Sequence, residues 1–296
     1  MIFGIFGNTA KHETAEVCNN LLSFLAKNEI HFVVHDQLGR ILKKSSATPT
    51  LSRKSICTGT QLPGRCDILI ALGGDGTMLE ASRLIGNSGK PILGVNLGKL
   101  GFLAEVSTEE IRKCVLDILQ GNYVVEDRMV LEAKSPAEGK RFFGLNDIVI
   151  DKGSSMRVIE IETYVNNDYL NTYQADGLIL TTPTGSTAYS LATGGPLVMP
   201  ESNVIIVNPI SPHTLTARPV VVPDTSIIKV IVKAESGEVH LTADGQVEKF
   251  YRSPAKFLIK RANYTTRLVK RKSGGYYDLL RTKLMWGRDI RVKSSS

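Results

Sequence analysis

The pentapeptide Gly73-Gly74-Asp75-Gly76-Thr77 is the first place where residue types and spacing could do chemistry. It follows a near-continuous apolar run, 66–72, and precedes a segment with helical spacing, 78–85. In an open parallel sheet, ligands bind at the carboxyl ends of strands. Glycines there let backbone N–H groups approach a phosphate because no Cβ intervenes, and a helix start adds partial positive charge. An aspartate in such a loop repels an anion. Asp75 therefore points to reaction chemistry: accepting a proton from a hydroxyl nucleophile, or helping to hold Mg2+. The plain alternative is a sharp Gly-Asp-Gly turn in which Asp75 caps the next helix.

Two further segments stand out. Residues 181–199, TTPTGSTAYSLATGGPLVM, set Thr181, Thr182, Thr184, Ser186, Thr187 and Ser190 among Gly185, Gly194 and Gly195, without a charge. Hydroxyls beside flexible backbone suit ribose and phosphate oxygens; an ordinary Ser/Thr/Gly loop is the alternative. Asn146-Asp147 interrupts a run, 142–151, otherwise fit for a strand. Polar residues are costly to bury unless they bind something. Asp147 could accept from ligand hydroxyls or an adenine amine, with a turn or edge position as the alternative.

The surrounding elements change character part-way along. Strand patterns at 2–6, 30–34, 66–72 and 91–95 alternate with helical ones. Cys18, Leu21, Leu22 and Leu25 share one helical face, and Ser107-Thr108-Glu109-Glu110 has the form of a capping box before a stripe of Ile111, Cys114, Val115, Ile118 and Leu119. This rhythm implies a parallel α/β sheet. Residues 43–64 lack periodicity and read as a loop. After Gly121 strand patterns follow one another at 124–133, 142–151, 158–165, 178–182, 204–207, 227–232, 239–242 and 256–260, with Asn166-Asn167-Asp168 as a hairpin turn. That half reads as all-β. Leu279, Leu280 and Leu284, with Trp286, suggest a short final helix.

Composition narrows the classes. The chain has 296 residues, 42% of them hydrophobic, and a mean hydropathy of −0.02, which suits one large or two ordinary globular domains of ~100–200 residues. No apolar run approaches the ~18–20 residues of a membrane helix. The opening MIFGIFGN has no basic region before its apolar stretch and reads as a first strand, not a secretory signal. A cytoplasmic protein without a membrane partner is expected. Cys18, Cys57, Cys66 and Cys114 form no C-x-x-C pair and read as reduced, mostly buried thiols. The five histidines lack metal-ligand spacing. The net charge of +7 allows an anionic partner, but residues 261–296 alone hold ten Lys or Arg against Asp278 and Asp289. Without interleaved aromatic or groove-reading motifs, this reads as a solvated basic tail, and no nucleic acid is expected.

At these residues the sequence resembles the NAD kinase family in its bacterial form, over nearly the whole chain. GGDGT at 73–77 is shared with diacylglycerol and other lipid kinases and with phosphofructokinases. Its combination with NLGKLGFLAEV (96–106), LNDIVI (145–150), ADGLILTTPTGSTAYSLATGGP (175–196) and NPISPHTLTARPVV (208–221) is far more specific. Thr282-Lys283-Leu284-Met285-Trp286 looks like that family too. The resemblance implies an enzyme that phosphorylates the 2′-hydroxyl of NAD's adenosine ribose to give NADP. The implied donor is ATP, or in some members polyphosphate, with a divalent metal, usually Mg2+. Also implied are an α/β domain of the diacylglycerol-kinase and phosphofructokinase kind at 1–122, an all-β, sandwich-like NAD-binding domain at 123–268, a segment 269–296 returning to the first domain, and a homo-oligomer, dimer or tetramer.

By motif position, the resemblance makes Asp75 the catalytic base, in contact with NAD, and Gly73, Gly74, Gly76 and Thr77 the phosphate loop, with Gly76 also touching NAD. Asn146 and Asp147 would hold adenosine and ribose. Asp176 would lie near the nicotinamide ribose. Thr187, Ala188, Tyr189, Ser190, Leu191 and Ala192 would wrap the adenine, with Phe102 nearby, and Gln246 would line the site. Arg157, Gln174 and Ser211 would be further NAD contacts. No protein ligand is assigned to the metal. Two positions depart from the pattern: Gln174, where the family is often basic, and Ala192, where it often has Ser. A kinase of another substrate, such as a lipid head group, and a silent dinucleotide-binding protein are the competing classes. The 175–196 motif speaks against the first and the intact Asp75 against the second.

Overall fold

The computed structural model describes residues 1–11, 13–43, 51–98, 101–270 and 275–285. The chain divides into two compact units: residues 1–84, 90–126 and those from 268 on, and residues 85–89 with 127–267.

In the first unit β1 (Ile2–Gly7), α1 (Glu13–Lys27), β2 (His31–His35), α2 (Asp36–Leu42), β3 (Ile56–Cys57), α3 (Leu62–Arg65), β4 (Ile68–Leu72), α4 (Asp75–Ile85), β5 (Ile92–Asn96), β6 (Val106–Ser107) and α5 (Ile111–Leu119) follow in turn. The strands lie in the order β5-β4-β1-β2-β3, all parallel. Every residue of β4 and β5 is buried, as strands covered on both faces require. On one face Phe3, Ile5, Ile70 and Val95 pack with the apolar stripes of α1 and α5. On the other, a Cβ at Gly94 would lie 2.7 Å from Met78 Sδ, so α4 packs against bare backbone.

The capping box forms by half: Glu110 Oε2 accepts from the Ser107 N–H at 3.3 Å. Leu119, in the last turn, is 41% exposed and leaves the stripe. The stretch expected as a loop carries β3, α3 and a 3-10 turn at Arg53–Ser55, with α2 just ahead of it; residues 44–50 lie outside the described ones. These pieces are too short for a helical period to declare itself.

The chain continues through β7 (Val124–Lys134), β8 (Arg141–Gly144), β9 (Asp147–Asp151), β10 (Ile159–Val165), β11 (Asp168–Ala175), β12 (Gly177–Thr181), α6 (Tyr189–Ala192), β13 (Val204–Ile210), β14 (Val220–Pro223), β15 (Ile228–Lys233), β16 (Glu238–Ala243), β17 (Val247–Arg252) and β18 (Ala255–Lys270). The first unit then closes with α7 (Tyr276–Leu284), which buries Leu279 and Leu280. In the second unit one sheet runs β14-β13-β12-β9-β16-β17, antiparallel throughout. The other joins β11, β10, β15 and β18, with β7 and β8 beside β18. Ile148, Ile150, Leu178 and Leu180 of one sheet meet Ile159, Ile161, Val230 and Phe257 of the other in a single core. The result is an antiparallel sandwich. Asn166 and Asn167, at φ 52° and 75°, turn the β10–β11 hairpin.

Three strands of the second unit that spacing did not announce, β11, β14 and β17, are all sheet edges. An edge strand with one open side lacks a clean buried pattern. The basic run also differs from expectation. Its beginning is β18, where Arg261 pairs with Asp224, Arg267 donates to Gly89 O at 3.0 Å, and the buried Lys270 pairs with Glu105. This part is ion-paired structure, not a solvated tail; residues 271–274 and 286–296, Trp286 included, lie outside the described ones. All four cysteines are buried thiols. Among the described residues no helix is long and apolar enough to cross a membrane.

Phe257 is fully buried between the two sheets. Phe257→Ala is expected to cost about 3–5 kcal/mol of unfolding free energy, measured by urea denaturation; a loss under about 1 kcal/mol would show that the sandwich core does not depend on it.

Candidate active site

β4 ends at Leu72 and the chain turns at once into α4. The Gly73 N–H donates to Val95 O at 2.9 Å, tying the loop to the end of β5. A Cβ on Gly73 would stand 2.0 Å from Thr77 Oγ1, so glycine is required there by space. The N–H groups of Thr77 and Met78 donate to Gly74 O at 3.0 and 3.2 Å and start the helix. Beside Gly74 a Cβ would meet nothing within 4 Å, which leaves its backbone open to an anion.

Asp75 stands in the first turn of α4 but does not cap it. Its Oδ2 accepts the Phe102 N–H at 2.8 Å, and its Oδ1 accepts those of Leu103 and Ala104 at 3.0 and 3.2 Å. A Cβ on Gly101 would fall 1.9 Å from Oδ1. The motif at 96–106 therefore serves to seat this carboxylate; its residues 99 and 100 lie outside the described ones. A carboxylate oxygen can accept about two hydrogen bonds. Among the described residues Oδ2 takes one amide, and a lone pair remains for a hydroxyl.

In the second unit the same device recurs. The Asp244 carboxylate accepts the N–H groups of Leu145, Asn146 and Asp147 at 2.9, 2.7 and 3.2 Å. Asp244 itself, at φ 54°, donates its N–H to Asp147 O at 3.0 Å. This clamp is why the single strand expected over 142–151 is two, β8 and β9. Thr181 Oγ1 and the Thr182 N–H donate to Asn146 O at 2.8 and 2.9 Å, and Thr182 Oγ1 donates to Leu145 O at 2.6 Å. A Cβ on Gly185 would lie 2.2 Å from Asn146 O.

The hydroxyls of 181–190 thus behave differently from expectation. Ser186 Oγ donates to Pro183 O at 2.7 Å, and Asn208 Nδ2 donates to Ser190 Oγ at 3.1 Å. Thr181, Thr182 and Ser186 are buried and bind the protein's own groups, so they frame the segment; Ser190 is buried too, its hydroxyl held by Asn208. What the segment offers outward is the half-buried Thr187 and Ala188 and the ring of Tyr189, with Leu191 and the exposed Ala192 behind. Among the described residues the buried Thr184 Oγ1 has no hydrogen-bond partner.

Charge gathers beside this segment. Asp147 is 5% exposed; burial first, then the Asp244 carboxylate, push its pKa from 3.8 up to about 7. At neutral pH it can donate as well as accept. Burial raises the Tyr189 phenol, and Asp151, Asp176 and Asp147 raise it further. Asp176 lies 2.7 Å from Lys152 Nζ. Asp176, Gln174, Arg157 and His213 line a cavity of about 650 Å³, where Gln174 Nε2 donates to Glu160 at 3.3 Å and Arg157 pairs with Glu235. Ser211, at φ 45°, and Gln246, on the β16–β17 turn, are exposed. The half-buried Phe102 and the glycine loop belong to the first unit, the other NAD-contact residues to the second. Among the described residues no cluster of three His, Cys, Asp or Glu could hold a metal. Sequence reasoning passed over Asp244, Asp151, Lys152 and His240. Only Asp244 left a signal, an Asp-Gly pair repeating that of Asp75-Gly76.

Residues 3–123 match the ATP-NAD kinase N-terminal domain and residues 145–271 the ATP-NAD kinase C-terminal domain. The chain belongs to the ATP-NAD kinase family. An NAD kinase of Bacteroides fragilis is 40% identical over 294 residues, covering 99% of this chain and 100% of that one. An NAD kinase of Geotalea daltonii is 43% identical over 246 residues, 81% and 87% of the two chains. Among solved structures, yeast NADH kinase complexed with NADH superposes with a TM-score of 0.87 at 24% identity, over 99% of this chain and 90% of that one. An NAD kinase from Archaeoglobus fulgidus in complex with ATP gives 0.75 at 22% identity, over 96% and 99%. These two show the ATP-NAD kinase fold, an α/β unit followed by an antiparallel sandwich.

Asp147 carries a pH signature. A carboxyl whose folded pKa is raised stabilises the fold fully below its ordinary value of 3.8, and that contribution is lost as pH rises through about 7. Asp147→Asn, which stays neutral, is expected to gain thermal stability on the wild type progressively between about pH 4 and 7. A Tm difference flat across that range would contradict the burial of this acid.

Proposed function

We propose that this chain transfers the γ-phosphoryl group of ATP to the 2′-hydroxyl of the adenosine ribose of NAD, giving NADP. Family membership supports the reaction, and one observation carries the chemistry: Asp75 sits in the glycine loop with its carboxylate oriented by three amides. A ribose hydroxyl is a poor acid, so little alkoxide exists at pH 7. Asp75 Oδ2 accepts its proton as the phosphoryl group moves, help worth roughly 10²–10⁴-fold. Alignment and charge stabilisation supply the rest. The backbone of Gly73, Gly74, Gly76 and Thr77 and the start of α4 face the donor phosphates.

Asn146 and Asp147 hold the adenosine and its ribose, residues 187–192 and Phe102 surround the adenine, and Asp176 serves the nicotinamide ribose. Arg157, Gln174, Ser211 and Gln246 contribute outer contacts. Mg2+ belongs to the same reading. It binds largely through substrate phosphates and keeps several waters, so it can ride on the donor with no protein ligand assigned to it. It supplies charge neutralisation on the donor. Polyphosphate as a second donor, a homo-oligomer, a cytoplasmic setting and the division 1–122, 123–268 and 269–296 complete the proposal.

Incubation with NAD, ATP and Mg2+, followed by a dehydrogenase that accepts only NADP, is expected to give a signal, with none when diacylglycerol replaces NAD as acceptor. No NADP signal from NAD, with ADP released instead when diacylglycerol is the acceptor, would overturn the assignment. Asp75→Asn should keep the fold and NAD binding while kcat falls about 10²-fold or more; near-normal turnover would remove Asp75 from the chemistry.

A further inference from the structure

β13 carries one polar side chain, Asn208, in a strand otherwise of Val, Ile and Pro. Ile205 and Val207 point into the sandwich core, so alternation puts Ile206, Asn208 and Ile210 on the opposite face. There Ile210 packs with Val149 and Ile179, and register sets Asn208 beside Ile179. Asn208 is fully buried. A buried amide is costly wherever it is not bonded, and its Oδ1 has no hydrogen-bond partner among the described residues. Sheet packing alone gives no reason for an asparagine at this place.

The reason lies in its Nδ2, which donates to Ser190 O at 3.0 Å, to Ser190 Oγ at 3.1 Å and to Thr193 Oγ1 at 2.8 Å. Two hydrogens serve three acceptors, so one is shared. A carbonyl oxygen only accepts, so the bond to Ser190 O fixes which end of the amide faces α6. A Cβ on Gly195 would fall 2.2 Å from Ser190 Oγ and 2.9 Å from Asn208 Nδ2, and glycine clears the ground for the contact. Among the described residues, every other hydrogen bond of residues 187–195 stays within 184–195. The Ala188 N–H donates to Gly185 O at 2.9 Å, the Gly195 N–H to Ser190 O at 2.8 Å, and Thr193 Oγ1 to Ser190 O at 3.0 Å. A helix of four residues has no stability of its own, and Asn208 is its polar tie to the sheet beneath.

We propose that Asn208 is a positioning residue for the dinucleotide site, its amide holding α6 on the sheet in the place where residues 187–192 receive NAD. This rests on the reading of residues 187–192 as dinucleotide contacts. Without the tie the segment samples other placements, and the apparent affinity for NAD falls with the fraction of molecules still correctly arranged. Chemistry at Asp75, which belongs to the other unit, is unaltered once NAD is bound.

The test is to measure KM for NAD, KM for ATP and kcat in wild type, Asn208→Leu, Thr193→Val and Tyr189→Ala. Leucine is close to asparagine in size, and Ser190 O keeps its bonds from Gly195 and Thr193. Asn208→Leu is expected to raise KM for NAD by about three- to tenfold, while kcat at saturating NAD and KM for ATP move less than about twofold. Thr193→Val removes one acceptor at a half-buried position. It should move KM for NAD in the same direction by less, and it reads the tie if Asn208→Leu does not fold. A purely structural loss would lower the active fraction, and so the apparent kcat, with KM for NAD unchanged. That result, or an equal rise in KM for both substrates, would overturn the proposal. Tyr189→Ala separates this inference from the reading beneath it. If Tyr189→Ala leaves KM for NAD unchanged, residues 187–192 do not meet NAD and both fall; if it raises KM for NAD while the other two variants do not, the positioning role alone falls. A wild type that forms no NADP would overturn the kinase reading, and calorimetric Kd values for NAD in the same four proteins would then decide the role of Asn208.

Discussion

A carboxylate that accepts three successive backbone N–H groups fixes a loop more firmly than any one side-chain pair could. Asp75 does this to residues 102–104 and Asp244 to residues 145–147. Residues 102–104 and 145–146 lie outside the strands and Asp147 is only the first residue of β9, so these amides need partners from elsewhere. Hydrogen bonds to an ionised acceptor are among the stronger ones, and each buried amide left unsatisfied would cost about 1–3 kcal/mol. The direction of service differs. At Asp244 the acid organises the loop that carries Asn146 and Asp147, whereas at Asp75 the loop organises the acid.

Glycine makes both clamps possible by vacating space. Gly101 would drive a Cβ into Asp75 Oδ1, and a Cβ on Gly144 would stand 2.4 Å from Asp147 O. Gly185 clears the same ground for Asn146 O, while Thr181 and Thr182 bind the carbonyls beside it. The hydroxyl-rich segment is thereby a rigid frame behind the polar residues it presents. Groups held in advance of the reaction cost no reorganisation when charge develops, which is the use the chemistry makes of so much internal hydrogen bonding.

Much of this was legible in the residues. Continuous apolar runs marked β4 and β5 because both faces are covered, and alternation marked β10 because only one is. The glycine loop, Asn146-Asp147 and the 181–199 segment were visible as chemistry out of place in a strand or helix. The clamps were not. Asp75 and Phe102 are 27 residues apart, and Asp244 and Leu145 are 99 apart; no local pattern encodes such a meeting. Hydroxyl side chains were misjudged for a related reason, since a Thr or Ser that binds backbone and one that binds a sugar look alike in sequence. Edge strands and the short α2 carried too little periodicity to be seen. The charge of β18 could not be told from a solvated tail because Asp224 and Glu105, which pair with it, lie far away along the chain.

The most direct measurement is a crystal structure of the protein with NAD and a non-hydrolysable ATP analogue. The 2′-oxygen of the adenosine ribose should lie about 2.6–3.2 Å from Asp75 Oδ2, on the side left open by the Phe102 amide. A 2′-oxygen lodged well beyond hydrogen-bond reach of that carboxylate, with both ligands in place, would contradict the role given to Asp75.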